Sequence, residues 1–307
     1  MPELPEVETT TRGIREKALG LKIKEVWTDL DTKDKRKHDT VANSKFFAHF
    51  KKEVTDKKII SVERMAKNIL VHLSGNKTIL IHLKMTGHIM YGKYIFKKTQ
   101  NKWESAEDGP LKDPFNRFIH LVFTLSNSKH LVMSDTRKFG KITVFDTDKE
   151  NRHLQNIGPE PLAKDFTLEK LIGRLNKKSK GHRQSGVNKI KTVLMDQGVI
   201  AGIGNIYSDE ILWRAGVNPE RYVKTLIPQE FVLIHKAIKE LLKKGIDFGG
   251  DSMSDYRNIN GERGKFQLHH EAYRRTGEKC RKKGCKGAIQ RKVINSRSAH
   301  FCDRHQR

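Results

Sequence analysis

The chain opens Met1-Pro2-Glu3-Leu4-Pro5-Glu6-Val7-Glu8, and Pro2 offers the most unusual chemistry. A small residue after Met1 permits removal of the initiator, which leaves Pro2 as a secondary α-amine with a pKa of roughly 7.7–8.0. Much of that amine is unprotonated near neutral pH, unlike a lysine side chain. Attack on a sugar C1′ gives an iminium, cationic without needing a proton and therefore an electron sink for later elimination. Glu3 lies beside the amine and Glu6 one helical turn away, so two carboxylates can divide the proton transfers. The same residues also make an ordinary Pro/Glu-rich helix start, and composition alone leaves both readings open.

A second cluster sits at the other end. Cys280 and Cys285 are followed by Cys302-x-x-His305, and three thiolates with an imidazole make a tetrahedral zinc set. His300 is an alternative to His305. The segments Ala288–Ile294 and Ala299–Phe301 between the cysteines read as a β-hairpin. A third feature is Gly202-Ile203-Gly204-Asn205. Glycines before a helix let backbone amides approach an anion, with Asn205 as N-cap or phosphate donor; a plain helix start fits as well. It is not a dinucleotide fingerprint, because no strand leads into it and no third glycine follows.

The composition points to a polyanion. With 61 Lys and Arg against 36 Asp and Glu, the formal charge is +25. Lys and Arg displace counterions from phosphates, so nucleic acid is the expected partner. The densest runs are Lys33–Lys37, Lys177–Arg183 and Lys279–Lys286. No apolar run is long enough to span a membrane. The three glutamates among the first eight residues argue against a secretory signal. The reading is a cytoplasmic protein, nucleoid-associated through DNA, with no nucleotide cofactor.

The elements that must position these residues fall into an α+β multidomain pattern. A helix is expected over Pro5–Ala18, with Gly20 to close it. Short apolar runs at Lys57–Glu63, Asn68–Leu73, Thr78–Lys84, Phe118–Leu125, His130–Ser134 and Lys141–Phe145 read as strands of a sandwich or barrel. Gly158-Pro159-Glu160-Pro161 breaks the pattern. After it come helical faces around Leu168–Leu175, Ile190–Leu194, Ile206–Trp213 and Phe231–Leu242. Residues 247–265 read as a mobile loop. The expected division is 1–155, a linker 156–164, a helical domain 165–265 and a finger 266–307.

Six motifs in chain order resemble the formamidopyrimidine-DNA glycosylases. They are Pro2–Thr9, His82-Leu83-Lys84-Met85-Thr86-Gly87, Asp135-Thr136-Arg137-Lys138-Phe139-Gly140, Ile157–Leu162, Gly204-Asn205-Ile206-Tyr207 and the terminal Cys/His cluster. The resemblance implies an N-terminal β-sandwich, a helix–two-turns–helix domain and a C-terminal zinc-finger hairpin, with duplex DNA in a cleft between domains. It implies Pro2 as Schiff-base nucleophile, Glu3 as main acid with Glu6 beside it, Lys67 in β-elimination and Arg297 in phosphate grip and δ-elimination. Met85, Arg137 and Phe139 match a wedge that fills the gap left by a flipped nucleotide, and His82, Lys191 and Asn205 match phosphate contacts. Gly249-Gly250-Asp251-Ser252 resembles the loop that closes over an oxidised purine. One structural zinc on Cys280, Cys285, Cys302 and His305, damaged double-stranded DNA as partner and a monomer complete the expectation.

The chain departs from the family pattern at three places. His305 stands where many relatives have cysteine, and the first cysteine pair is two residues wider. The family's His-x-His is Phe118-Ile119-His120 here, leaving His120 as the DNA-contact candidate. Gln100–Pro114 is inserted and reads as a surface loop. The expected activity is a bifunctional glycosylase and lyase for 8-oxoguanine and formamidopyrimidines. Its rivals are a non-catalytic DNA-binding protein on the same scaffold, an RNA-binding protein, and an endonuclease VIII-like enzyme for oxidised pyrimidines.

Overall fold

A computed structural model describes residues 1–180, 188–253 and 255–307, so the end of the basic run Lys177–Arg183 lies outside the described residues. The chain divides into two compact units. The first is Met1–Gln155 with Phe248–Lys265, and the second is Asn156–Asp247 with Phe266–Arg307.

In the first unit, α1 (Leu4–Ala18) precedes β1 (Ile23–Thr28), α2 (Ser44–Val54), β2 (Ile59–Met65), β3 (Asn68–Leu73), β4 (Lys77–His82), β5 (His88–Gly92), β6 (Tyr94–Lys97), β7 (Lys102–Ser105), β8 (Ile119–Leu125), β9 (His130–Ser134), β10 (Lys141–Asp146) and the single turn α3 (Glu150–His153). Two antiparallel sheets form, ordered β1-β8-β9-β5 and β10-β4-β3-β2. Alternate residues of both sheets share one core. Ile69, Val71 and Leu73 of β3 and Ile79 and Ile81 of β4 meet Leu121, Phe123 and Leu125 of β8. Val7, Ile14 and Ala18 of α1 join that core, as the 3.6-residue period requires. This is the expected sandwich.

Residues 100–114, expected as a surface loop, are structured: they carry β7, which forms a hairpin with the preceding β6. Strands β6 and β7 pair from Tyr94↔Ser105 to Lys97↔Lys102. Tyr94 and Leu111 bury a second apolar cluster with Met90, Ile119, Val122 and Val132, edged by Trp27 and Trp103. The first sheet is thereby covered on its outer face. That explains why all five residues of β9 are buried, where a one-sided strand would alternate.

Residues 248–265 also differ from expectation. They pack with the first unit, and Asp251, Ser252, Tyr256, Arg257 and Ile259 are buried there. Gly13 of α1 makes room for this: a Cβ at residue 13 would stand 2.5 Å from Ile259 Cγ2.

The second unit contains α4 (Leu168–Lys180), α5 (Ile190–Leu194), α6 (Asn205–Ala215), α7 (Pro228–Asp247) and the hairpin β11 (Gln290–Ile294)–β12 (Arg297–Phe301). Two turns separate α5 from α6. Gln197 braces them, donating to the carbonyls of Met195 and Ile203 and accepting from Gly202 N–H. The Gly158-Pro159 segment is docked on these turns, Gly158 N–H donating to Gln197 O and Pro159 O accepting from Ala201 N–H. Among the described residues no helix is long and apolar enough to cross a membrane.

Truncating Trp103 to alanine strips the outer cluster while leaving the sandwich core intact. Trp103→Ala is expected to lower stability by about 2–3 kcal/mol, readable as a reduced denaturant midpoint with an unchanged slope.

Candidate catalytic, DNA-contact and zinc-binding residues

The N-terminus of α1 is closed by a reciprocal capping box. Glu3 is the N-cap, its side chain accepts from the backbone N–H of Glu6, and Glu6 Oε2 accepts from Glu3 N–H at 2.7 Å. Such a box normally begins with Ser or Thr; here both members are carboxylates, placed where the helix dipole favours negative charge. Pro2, Glu3 and Glu6 are all buried. Glu6 Oε1 also accepts from Asp251 N–H at 2.7 Å, and Tyr256 Oη donates to Glu6 O at 3.1 Å. Gly250, at φ +87°, allows the approach, since a Cβ there would lie 2.9 Å from Glu6 Cγ. Burial, then the charges of Glu3 and Asp251, push the Glu6 carboxyl up to about 7.

Lys67 is buried in the two-residue turn between β2 and β3. Ala66 adopts φ +54°, and Arg64 Nη1 donates to Ala66 O at 3.0 Å. Arg64 Nε also meets Glu8 Oε2 of α1 at 2.8 Å, which fixes the Lys67 turn against the helix that carries Pro2. His82 ends β4, and its Nδ1 accepts from Lys84 N–H at 3.0 Å. Burial, then Lys84 and Lys67, pull its imidazole down to about 3. It is therefore neutral, with Nε2–H as donor.

The turn Asp135–Gly140 is organised by one buried carboxylate. Asp135 Oδ2 accepts from Gly140 N–H at 2.8 Å, and Oδ1 accepts from Arg137 N–H at 3.3 Å and from the Thr86 hydroxyl. The last bond ties the turn to Met85-Thr86. Phe139 remains 44% exposed, with the Arg137 guanidinium 4.6 Å and the Lys37 ammonium 5.8 Å from its ring centroid. Lys37 Nζ also donates to Lys138 O at 3.0 Å. Sequence reasoning passed over Asp135 and Lys37 as site residues. Asp135 lies inside a quoted motif, but its bonding follows from the turn geometry. His120 is turned to Asp29, with Nδ1 at 2.8 Å from Oδ1.

The second unit corrects two expectations. Gly204, not Asn205, is the N-cap of α6; Asn205 is the first helical residue, and its Nδ2 donates to Ser298 Oγ at 3.2 Å. Lys191 does not project as a phosphate contact. Its side chain is 1% exposed and its Nζ lies 2.5 Å from Asp209 Oδ1 and 3.2 Å from Ser208 Oγ. A buried ammonium demands such partners. Asp209 Oδ2 accepts in turn from His300 N–H and meets His300 Nδ1, both at 2.9 Å, which removes His300 from the metal set. Arg297 is exposed beside the turn Asn295–Ser296, both at positive φ. It lines an open 650 Å³ cavity with Lys178, Thr192, Met195 and Asn295.

The donor atoms of Cys280, Cys302 and His305 lie within 4.8 Å of one another. Cys280 Sγ is 3.5 Å from His305 Nδ1, and Cys285 Sγ is 3.7 Å from Cys302 Sγ. Zinc–sulfur bonds of about 2.3 Å and zinc–nitrogen bonds of about 2.0–2.1 Å put the edges of a tetrahedron near about 3.8 Å for S···S and about 3.5 Å for S···N. His305 Nε2 sits 2.9 Å from Trp213 O, so it carries the proton and leaves the Nδ1 lone pair for a metal. The residues fit one structural zinc. Gly287 is needed at this knuckle, since a Cβ there would fall 2.6 Å from Cys302 Sγ.

Comparisons with known proteins agree with this geometry. Residues 1–142 match the formamidopyrimidine-DNA glycosylase N-terminal domain and residues 157–257 the formamidopyrimidine-DNA glycosylase H2TH domain. The formamidopyrimidine-DNA glycosylase of Pelotomaculum thermopropionicum is 37% identical, covering 98% of both chains. This chain belongs to the formamidopyrimidine-DNA glycosylase family. The family protein of Halalkalibacterium halodurans is 36% identical over 98% of both chains. Among solved structures, Lactococcus lactis Fpg with abasic-site DNA matches at TM-score 0.80 and 30% identity over 99% of both chains. The same protein with Fapy-dG DNA matches at 0.79 and 30%, over 99% of this chain and 100% of that one.

Two predictions concern this glycosylase-family chain. Glu6 titrates near 7 when folded against an ordinary 4.5, so the folded state holds its proton longer than the unfolded one. Stability from this group is full below about 4.5 and falls as pH rises through 7, by up to about 3 kcal/mol. The wild-type minus Glu6→Gln difference in unfolding free energy should decline across that window; a flat difference contradicts the assignment. For the zinc cluster, metal analysis should find one zinc per chain, lost in Cys302→Ser and weakened in Gly287→Ala.

Proposed function

We propose that this chain releases oxidised purines from duplex DNA and then cleaves the strand at the resulting abasic site. The observation that carries the reading is the buried N-terminal corner, in which Pro2 precedes a carboxylate pair with one member titrating at about 7.

With Met1 removed, the Pro2 nitrogen attacks C1′ of the damaged nucleotide. The N–C1′ bond forms, the glycosidic bond breaks, and the electron pair leaves with the base. The amine loses its proton and the departing base gains one. Glu6, close to half-protonated at neutral pH, is suited to take and return that proton, while Glu3 donates to the opening ribose ring oxygen. The iminium acidifies C2′, and loss of that proton expels the 3′-phosphate in β-elimination. A second elimination releases the 5′-phosphate. Lys67 and Arg297 hold these phosphates, and neutral His82 donates Nε2–H to another. Met85, Arg137 and Phe139 fill the stack vacated by the flipped nucleotide, which offsets part of the few kcal/mol that unstacking costs. Zinc held by Cys280, Cys285, Cys302 and His305 would fix the hairpin that presents Arg297.

Borohydride reduction on a duplex carrying one 8-oxoguanine opposite cytosine tests this reading. The expected result is a covalent protein–DNA band mapping to Pro2, with base release abolished or sharply slowed in Pro2→Gly while DNA binding is retained. A Pro2→Gly variant that keeps the full base-release rate would overturn the mechanism.

A further inference from the structure

Residues 100–114 and the turn that follows them do more than cover the sandwich. Arg257, in the segment 248–265, is 3% exposed in its side chain. Its Nη2 donates to both carboxylate oxygens of Asp113, at 3.1 and 3.0 Å, and its Nε donates to Oδ2 at 3.1 Å. This fork-to-fork geometry is the most directional ion pair a protein makes. Phe115 stacks under the guanidinium at 4.9 Å, and Asp113 Oδ1 accepts Phe115 N–H at 2.9 Å, which fixes the carboxylate's own turn. Asn116 adds a second tie, its Nδ2 donating to Gly261 O at 3.1 Å and to Pro110 O at 2.8 Å. His88 Nε2, 2.9 Å from Asn116 Oδ1, locks that amide. Gly261, at φ +80°, is crossed so closely that a Cβ would stand 2.8 Å from Asn116 Nδ2. Tyr91 N–H donates to Ile259 O at 2.8 Å.

We propose that Asp113 and Asn116 are positioning residues for base excision, which hold the 256–261 arm of the segment 248–265 so that the rest of it meets an extruded purine in one geometry. This rests on the base-release reading above and on the resemblance of Gly249-Gly250-Asp251-Ser252 to a loop that closes over an oxidised purine. At its other end the segment is anchored on Glu6 through Asp251 N–H, so two independent ties fix its two arms. A loop fixed at both arms presents its contacts with little ordering left to do, and orientation of this kind is worth orders of magnitude in rate. An abasic site has no base to hold, so strand cleavage there needs none of this.

The test is Asp113→Asn, with Asp113→Glu as the conservative control. Single-turnover base release from an 8-oxoguanine duplex should fall on the order of ten- to a hundredfold in Asp113→Asn, while strand cleavage at a preformed abasic site stays at the wild-type rate. Amide hydrogen exchange should quicken at residues 256–261, and Asp113→Glu should restore most of both. An equal fall on both substrates would reduce the pair to a fold-stabilising role and overturn the proposal. So would quickened exchange with unchanged base release. If the wild-type protein releases no oxidised purine at all, the base-release reading fails instead, and the abasic-site arm records that separately.

Discussion

Everything in this structure depends on how a chain with a +25 formal charge uses the few acids it places inside. Glu6, Asp135, Asp209 and Glu210 are each no more than 2% exposed, and each accepts backbone N–H groups. Glu6 takes Glu3 and Asp251, Asp135 takes Arg137 and Gly140, and Asp209 takes His300. Glu210 takes three in succession, from Glu271, Ala272 and Tyr273. A buried carboxylate is tolerable only when its lone pairs are satisfied, and here the satisfying donors are backbone N–H groups, so each acid fixes the segment it faces. The interior acids therefore shape a cationic surface from behind.

This arrangement separates rigidity from contact. Two of the proposed DNA contacts, Phe139 and Arg297, are exposed. The residues that hold them are buried: Asp135 for the Phe139 turn, and Asp209 with Lys191 for the strand beginning at Arg297. The neutral state of His82 has the same logic. Set far below its usual range by burial and neighbouring lysines, it keeps one N–H to donate and does not change charge across physiological pH, so in the proposed phosphate contact it would add direction without adding to the salt dependence that counterion release produces.

The sequence exposed periodic elements and chemically distinctive residue types, and hid long-range pairing. Asn68–Leu73 and His130–Ser134 are strands with the bounds their apolar runs indicate, because each is short, apolar and closed by turn residues. Strand β1, Ile23–Thr28, carries Lys24 and Glu25 in mid-strand and gives no comparable signal. Helix α2 is signalled by Asn43, whose side chain caps Phe46 N–H, yet its three phenylalanines sit among three lysines and a histidine. Sequence distance explains the rest. Lys191 reads as one more cation of a basic stretch until Asp209, 18 residues on, is found beside it. The hold of Asp251 on Glu6 spans 245 residues and that of Asp113 on Arg257 spans 144. No periodicity links such positions; only the sandwich brings them together.

The contact between Gly13 and Ile259 carries a consequence for how such a chain can change. The space that a methyl group on residue 13 would need is already filled by the Ile259 side chain. Enlarging residue 13 expels Ile259 from the core, and shrinking residue 259 opens a void that only a larger residue 13 refills. The two positions thus constrain each other sterically, although one lies in the first helix and the other in the segment 248–265. A larger residue 13 therefore calls for a smaller side chain at 259, so a change in the segment 248–265 is felt in the helix that begins at Leu4.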